Sequence, residues 1–423
     1  MRRLMCAVAG AGVAVVVGLG LVGQAAAPAC ASDNGGITLP PGFCAAVVAD
    51  NIGSARHMAV APNGDLYVAL RDGRTPGAIV ALRDTTGDGI FDRQEKFATT
   101  GGTGIALHAG YVYMATPTSV IRFKLNAGEL VPSGAAETVV SGLPEQRQHQ
   151  DKGLAFDGNG GMYVNIGAPS NDCQNPDRRP GVKGQDPCPL LEEHGGIWRF
   201  GDAKLNQTFA DGHRFATGMR QMPGLTWHDG ALWIAMHGRD ALNSYWPDVY
   251  SVEASAELPS ETLLRATDGA DFGWPYCMHD WKQGKLILNP EYDGDGKAVG
   301  RCDGKTPPVA AYPGHWAPND VEFYTGTQFP EKYRGGVFIA FHGSWNRAPL
   351  PQGGYNVVFQ PMAGNRASGA YEVFADGFAG RTPLMQPNEA TYRPEGVLMA
   401  PDGSLFISEG QKGRIWRVMY AGR

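Results

Sequence analysis

The chain has 423 residues, of which 43% are hydrophobic, and a chain of this length can bury a large core. Its formal net charge of −6 gives no basic surface for binding a nucleic acid. The 59 glycines and 30 prolines suit many turns and leave little room for long helices.

The N-terminus has the pattern of a secretory signal peptide. Arg2 and Arg3 precede an uncharged run over 4–23, and the small-residue stretch AAAPACAS follows it. We predict a signal peptide over 1–31, with cleavage before Cys30 as a second possibility. An uncleaved membrane anchor and a lipid anchor on Cys30 are the alternatives, and they are the only membrane association that we expect. The mature protein is predicted to be exported, either periplasmic or secreted.

A short phrase then occurs six times along the chain. Each copy has a short apolar strand, a turn rich in Gly, Asn or Asp, and a second strand rich in aromatic and β-branched residues, which is typical of a β-hairpin. The copies lie at 57–71, 104–117, 153–167, 224–238, 321–343 and 396–410. One hairpin buries too little surface to be stable alone, so the repeats predict an all-β, six-bladed β-propeller. We expect the strand at 39–51 to complete the last blade, within a single propeller domain over 32–423.

The cysteines suit an oxidising compartment. Cys173 with Cys188, and Cys277 with Cys302, lie in two polar loops and could each close a short disulfide loop. Cys44 would then be buried or paired with Cys30, although the sequence does not fix the connectivity and free buried thiols are the alternative.

The segment DTTGDGIFDRQE at 84–95 has the oxygen-ligand spacing of an EF-hand calcium loop. The ligands would be Asp84, Thr86, Asp88, Ile90 through its carbonyl, Asp92 and Glu95. Because the flanking segments look like strands, the prediction is a structural calcium rather than a calcium sensor. A polar turn between two strands is the alternative.

Polar residues recur where the chain enters or leaves the hairpins. They are Arg56 and His57, Gln148 and His149, Arg220 and Gln221, the segments HGRD at 237–240 and HGSWNR at 342–347, and Arg393. In a propeller these ends converge at one mouth of the axial tunnel. Arginine binds carboxylates through two parallel hydrogen bonds and an indole ring covers a flat group, so the set suits a planar anion.

Several motifs over 39–420 resemble those of the glucose/sorbosone dehydrogenases. They are LPPGF, APNGDLYV, Gln148-His149, GMRQMPG, FGWPY, HGSWNR, and RPEGV with PDGSLFIS. Members of that family are six-bladed propellers that use pyrroloquinoline quinone (PQQ) with calcium. The resemblance implies a dehydrogenase that oxidises a sugar, or a sugar-derived alcohol or aldehyde, by hydride transfer to the quinone. Because the chain has no C-x-x-C-H haem motif, the electrons are expected to pass to an external acceptor, a quinone or a cytochrome.

The resemblance also assigns roles to the residues at the ends of the hairpins. His149 matches the family's general base, and Arg220 lies where a positive group would stabilise charge on the reduced quinone. Arg347 and Arg393 are candidates for the cofactor carboxylates, and Trp345 is a candidate for stacking. The other cofactor-binding candidates are Arg56, Gln148, Gln221, His342 and Asn346.

One turn matches the family's site for the cofactor calcium. The backbone carbonyls of Gly238 and Arg239 are the matching ligands, and Asp240 is a further candidate. Two positions depart from the family pattern, because Gln221 replaces an asparagine and Gln148 replaces the aspartate that precedes the base in the soluble glucose enzymes. The second departure leaves the identity of the substrate open.

Two other functions are compatible with such a propeller. One is a calcium-dependent hydrolase of the lactonase type, which would need carboxylates and asparagines around one axial metal. The other is a non-catalytic carbohydrate-binding or protein-binding propeller, in which the histidines and arginines would be scattered surface groups.

Overall fold

The repeated hairpins form the inner strands of six β-sheets around a common axis, so the prediction of an all-β, six-bladed propeller is confirmed. The computed structural model describes residues 27–73 and 76–422. The segment 1–26 of the predicted signal peptide lies outside the described residues, and the leader stays a prediction.

The strands are numbered in chain order, and the three inner strands of each blade are consecutive in the chain and antiparallel. The N-terminal strand and the first three blades comprise β1 (Phe43–Ala49), β2 (Ala55–Val60), β3 (Leu66–Leu70), β4 (Ala78–Arg83), β5 (Arg93–Phe97), β6 (Ile105–His108), β7 (Tyr111–Ala115), β8 (Val120–Lys124), β9 (Glu137–Ser141), β10 (Leu154–Phe156), β11 (Gly161–Ile166), β12 (Gly196–Gly201), β13 (Gln207–Thr208) and β14 (His213–Thr217). The last three blades and their insertions comprise β15 (Gln221–His228), β16 (Ala231–His237), β17 (Glu261–Ala266), β18 (Ala270–Asp271), β19 (Cys277–Asp280), β20 (Lys285–Leu288), β21 (Ala310–Tyr312), β22 (Pro318–Phe323), β23 (Val337–Phe341), β24 (Asn356–Gln360), β25 (Met362–Ala363), β26 (Arg366–Ala367), β27 (Glu372–Ala375), β28 (Pro394–Met399), β29 (Leu405–Glu409) and β30 (Ile415–Tyr420).

Helices are short in the described part of the chain. Two are α-helical, α1 (Leu242–Tyr245) and α2 (Val252–Glu257). Single 3₁₀ turns lie at Asn34–Gly36, Pro189–Glu192, Phe209–Asp211, Pro290–Tyr292, Gly300–Cys302, Glu331–Tyr333 and Pro387–Glu389. None of the helices over 27–73 and 76–422 is long and apolar enough to cross a membrane.

Each blade packs on both of its neighbours, because successive side chains of a strand point to opposite faces of the sheet. In β3, Leu66, Val68 and Leu70 join the core shared with the sixth blade, whereas Tyr67 and Ala69 join the core shared with the second blade. Cores of the same kind lie between the other neighbouring blades. The hydrophobic core is therefore a ring of inter-blade layers around the axis.

The N-terminal strand closes this ring, as the sequence predicted. β1 pairs antiparallel with β30, from Phe43 opposite Tyr420 to Val47 opposite Trp416, and becomes the outer strand of the sixth blade. A disulfide joins Cys30, which precedes β1, to Cys44 within β1. The ends of the described chain are thus held together in one sheet.

The two other disulfides also form as predicted, in insertions that contact each other. Cys173 pairs with Cys188, and Cys277 pairs with Cys302. The two insertions meet where the Tyr292 hydroxyl donates to the Asp172 carbonyl at 3.1 Å. Because the start and end of a hairpin lie at the same end of its sheet, the segments before and after each inner hairpin surround one mouth of the axis.

We expect Phe338→Ala, in the core between the fifth and sixth blades, to lower the free energy of unfolding by about 3–5 kcal/mol through the lost packing and the cavity left behind. Phe338 is fully buried and its ring lies 4.7 Å from that of Phe374. Urea denaturation measures the loss, with Val373→Ala on β27, 44% exposed, as the control. An equal loss in both variants would contradict the packing described for this blade.

Candidate active site

A cavity of about 220 Å³ opens at the mouth of the axis where the ends of several hairpins meet. It is lined by Gln148, His149, Arg178, Arg220, Gln221, His237, Gly238, Asp240, Glu261, His315, Ala317, Trp345 and Asn346. Eight of these residues were predicted from the sequence as cofactor, metal or catalytic residues. The convergence of distant segments therefore follows from the repeat, and the cavity is the candidate site.

His149 is held in a strained backbone conformation at the cavity wall. Its φ of +53° lies in the left-handed region, which non-glycine residues rarely adopt. The Gln146 side-chain amide donates to the carbonyls of Gln148, His149 and Gly167 at 2.8, 2.9 and 3.0 Å, and this triple contact fixes the loop. Sequence reasoning missed Gln146, which no motif distinguishes from other loop glutamines.

The imidazole of His149 is set up to accept a proton. Its Nδ1 lies 2.6 Å from the Ala168 carbonyl, which can only accept, so Nδ1 carries the proton and Nε2 is the basic nitrogen. Burial, followed by the positive charge of Arg220, lowers the pKa of His149 well below its ordinary value. The ring is therefore neutral at physiological pH, as a general base must be.

Asp240 joins two arginines at the centre of the cavity. Its Oδ2 accepts from Arg220 at 2.5 Å and from Arg178 at 2.8 Å, and its Oδ1 accepts from the Asn346 amide at 3.0 Å. Burial alone would raise the pKa of Asp240, but Arg220 and Arg178 bring it below its ordinary value. Asp240 is therefore an ionised carboxylate whose charge the two arginines exceed.

Arg178 extends this network to the residue before the base. Its guanidinium donates to Oε1 of Gln148 at 3.1 Å as well as to Asp240. The Gln148 amide in turn donates to Asp177 at 3.0 Å. Arg178 was missed in the sequence because it lies in the loop closed by Cys173 and Cys188, which shows no repeat pattern.

Glu261, also missed, lies buried at the start of β17 beneath the turn at Gly238. It accepts from the backbone N–H groups of Gly238 at 3.0 Å and Ala317 at 3.4 Å. Burial outweighs these hydrogen bonds and raises the pKa of Glu261 to about 8. Burial also lowers the pKa of His237 to about 4 and that of His315 below its ordinary value, so these three side chains are uncharged near neutral pH.

The loop after β23 brings Trp345 and Asn346 to the cavity. Trp345 is 58% exposed and lines the cavity, so its ring is accessible to a bound group. Arg393 holds the beginning of this loop by donating to the carbonyls of His342 at 3.0 Å and Gly343 at 2.5 Å. Arg347 holds its end through an ion pair with Glu257 at 2.5 Å.

Arg347 and Arg393 therefore lie outside the cavity lining, and their guanidinium groups are occupied by the contacts that hold the two ends of the loop. Arg347 donates in addition to the carbonyls of Gly314 and Pro351, at 3.3 and 3.1 Å. Its ion pair is with Glu257 in the insertion before β17, and the cofactor-carboxylate role of Arg347 stays a prediction. Nothing in the sequence identified Glu257 as its partner.

Arg56 and His342 also lie outside the cavity lining and form a second buried cluster with Glu395. Arg56 lies 2.5 Å and His342 lies 2.9 Å from the Glu395 carboxylate. Burial would raise the pKa of Glu395, but Arg56 and His342 bring it below its ordinary value. The cluster joins the ends of the first, fifth and sixth blades.

At the turn predicted to hold calcium, the Gly238 carbonyl lies 2.8 Å from Nη1 of Arg220. The Arg239 side chain points away into the protein, where it pairs with Glu291 at 2.5 Å and Asp172 at 3.1 Å. Only the Arg239 backbone could therefore serve a cation. Over residues 27–73 and 76–422, no group of three or more His, Cys, Asp or Glu side chains is placed to hold a metal ion.

The loop at 84–95 is ordered by hydrogen bonds between its own residues. The Asp84 carboxylate accepts from the N–H groups of Gly87 and Gly89, both at 2.7 Å. Glu95 lies inside β5 and pairs with Arg93 at 2.5 Å, since the strand begins before the twelfth position of the motif. These contacts order the turn between the two strands, and the structural calcium at 84–95 stays a prediction.

In calcium-free protein we expect Glu261→Gln to gain stability relative to the wild type as the pH rises. The pKa of Glu261 is about 8 in the folded protein and 4.5 ordinarily, so between these values the unfolded chain loses a proton that the folded chain keeps. The free energy of unfolding of the wild type then falls with rising pH, by up to about 1.4 kcal/mol per pH unit. Urea denaturation at pH 5 and pH 7.5 measures the difference, with exposed Glu331→Gln as the control. If the difference in the free energy of unfolding between the variant and the wild type does not change with pH, Glu261 is ionised in the folded protein.

Comparison with known proteins gives the family. The chain is 29% identical over 167 residues to a pyrroloquinoline quinone-dependent pyranose dehydrogenase of Coprinopsis cinerea, over 34% of this chain and 22% of that protein. It is 28% identical over 209 residues to an uncharacterised protein of Borreliella burgdorferi, over 48% of each, so it spans half or less of the length of these curated relatives.

Among solved structures, a carbohydrate-active enzyme of family AA12 from Trichoderma reesei superposes with a TM-score of 0.75 at 18% identity, over 91% of this chain and 98% of that one. The PQQ domain of the Coprinopsis cinerea pyranose dehydrogenase gives 0.72 at 16% identity, over 93% and 98%. These likenesses show the fold. The model of the TrAA12-like family matches residues 37–421, and the chain belongs to that family.

Proposed function

We propose that the chain is an exported PQQ- and calcium-dependent dehydrogenase that oxidises a sugar, or a sugar-derived alcohol or aldehyde. The observation that carries this proposal is that two side chains line the same cavity. One is a neutral histidine whose Nε2 is basic, and the other is an arginine with one donor that has no hydrogen-bond partner. His149 and Arg220 are these two residues. The name of the Coprinopsis cinerea relative supports the cofactor and the class of substrate.

The cavity fits a planar anion with several oxygens. Three residues of its lining each have one buried polar atom without a hydrogen-bond partner, namely Nε of Arg220, Oε1 of Gln221 and Oδ1 of Asn346. Unpaired buried polar atoms are costly, so these side chains would gain by turning toward a bound ligand that has donors and acceptors. Arg178 and Arg220 present guanidinium groups at the cavity, where both pair with Asp240 and Arg178 also lies 3.7 Å from Asp177, and the Trp345 side chain is largely exposed.

When bound, PQQ would supply a quinone that accepts the two electrons and the hydrogen leaving the sugar carbon as hydride. His149 takes the proton of the sugar hydroxyl on Nε2, while the Ala168 carbonyl holds Nδ1–H and orients the ring. Arg220 is fixed by Asp240 and the Gly238 carbonyl, so its charge is already in place when negative charge develops beside it.

The oxygens of the 238–240 turn would hold calcium together with the cofactor. The Gly238 carbonyl and the Asp240 carboxylate are hard oxygen ligands of the type that calcium prefers, and both line the cavity. They are too few to satisfy calcium alone, so the remaining ligands must come from the cofactor and water. An external quinone or cytochrome would reoxidise the cofactor, since no C-x-x-C-H motif occurs in the chain.

The proposal is tested by adding PQQ and calcium to the protein and following its tryptophan fluorescence, then dye reduction with a panel of aldoses, pyranoses and sorbosone. We expect PQQ to bind and at least one sugar to be oxidised. His149→Ala should bind PQQ within a few-fold of the wild type and lose about 10²–10⁴ in turnover, because the proton acceptor is gone.

The matched control is His213→Ala, an exposed histidine on β14 that pairs with Asp268 at 2.7 Å. It should leave both PQQ binding and turnover unchanged. Absence of PQQ binding in the wild type would refute the proposed function. Turnover of His149→Ala at the wild-type rate would remove His149 as the base and leave the cofactor assignment standing.

A further inference from the structure

We propose that Asn171 is a positioning residue for the calcium side of the site, because its side-chain amide holds the backbone of Asp240. The inference rests on the proposed function, since it concerns the turn that would bind calcium with the cofactor. Asn171 belongs to the insertion between β11 and β12, carries no motif, and is fully buried.

The Asn171 amide makes both of the hydrogen bonds that a backbone partner in a sheet would make. Its Oδ1 accepts from the Asp240 N–H at 2.9 Å, and its Nδ2 donates to the Asp240 carbonyl at 3.2 Å. The 238–240 turn follows the end of β16 and lies outside the sheets. In place of a neighbouring strand, one side chain therefore fixes the peptide groups on both sides of the Asp240 Cα.

This turn needs such support because its conformation is unfavourable. The next residue, Ala241, has a φ of +59°, which an alanine adopts only under constraint from its surroundings. The Asp240 side chain meanwhile holds Arg220 and Arg178. A shift of the Asp240 backbone would therefore move the Gly238 and Arg239 carbonyls and the arginines together.

Asn171 is itself anchored from several directions. Its N–H donates to Asp177 at 3.1 Å, and its carbonyl accepts from the Trp274 indole at 2.9 Å. The next residue, Asp172, pairs with Arg239 at 3.1 Å, and the one after it is Cys173 of the disulfide with Cys188. Three consecutive residues thus connect the disulfide-closed loop to the calcium turn.

The base is held by a separate set of contacts. His149 is fixed by the Gln146 amide and the Ala168 carbonyl, neither of which touches Asp240 through a hydrogen bond. Removing the Asn171 amide should therefore weaken calcium binding while the hydrogen bonds that orient His149 stay in place. Removing a residue with a merely structural role would affect both the calcium turn and His149, or neither of them.

Gln207 on β13 provides a matched control, because its amide makes the same pair of bonds away from the cavity. It accepts from the Gly201 N–H at 3.0 Å and donates to the Gly201 carbonyl at 2.8 Å, and it is 2% exposed. Asn171→Ala and Gln207→Ala both remove this pair of bonds, Gln207→Ala also removes a bond to the Lys204 carbonyl at 2.8 Å, and only Asn171→Ala should affect the turn.

The test is a calcium titration of PQQ binding, followed by tryptophan fluorescence without substrate, in the wild type and both variants. We expect Asn171→Ala to need about ten-fold more calcium for half-maximal PQQ binding, and Gln207→Ala to match the wild type. If Asn171→Ala does not fold, Asn171→Ser removes the same amide and carries the same expectation. An unchanged calcium midpoint in a folded Asn171 variant would overturn the inference.

Hydrogen exchange of the calcium-free, PQQ-free protein gives a second readout that needs no ligand. The Asp240 amide should exchange at least ten-fold faster in the Asn171 variant than in the wild type, and at the wild-type rate in Gln207→Ala. An unchanged exchange rate would overturn the inference even if calcium binding weakens. Failure of the wild type to bind PQQ at any calcium concentration would instead refute the proposed function, and the exchange result would still decide whether Asn171 holds this turn.

Discussion

The closure of the ring is the constraint on which the rest of the structure depends. Every blade buries one face on the preceding blade and the other on the following blade, so the first and sixth blades have complete cores only when they meet each other. The pairing of β1 with β30 makes this junction with strands from opposite ends of the chain. Closed in this way, the propeller brings residues such as His149, Arg220 and Trp345, which are far apart in sequence, to one cavity.

Much of the fold could be predicted from the sequence because each repeat is a local pattern. A Gly/Asn/Asp turn between two apolar strands defines a hairpin whatever surrounds it, and the copy number then gives the architecture. The same logic placed His149, Arg220 and Asp240 correctly at the cavity, since they lie where inner hairpins begin or end. All three disulfides join cysteines that the sequence had grouped, although it could not fix the pairing.

The rest depended on partners that no local pattern reveals. Arg347 lies beside the right loop, but its guanidinium binds Glu257 from the insertion before β17 rather than facing the cavity. The spacing at 84–95 matches a calcium loop, but it does not show that Glu95 lies inside the strand β5 and pairs with Arg93. Arg178, Gln146 and Asn171 reach their positions through irregular loops, whose conformation depends on tertiary contacts.

The loop that carries Trp345 and Asn346 has a consequence for how this protein can diversify. Its two ends are fastened by Arg393 and Arg347 to contacts that do not involve the exposed residues between them. Substitutions of Trp345 at the tip can therefore change the surface of the cavity without disturbing the blades, whereas Asn346 is tied to the buried polar network through Asp240. The exposed side chain is thus free to vary while its neighbour is held in place.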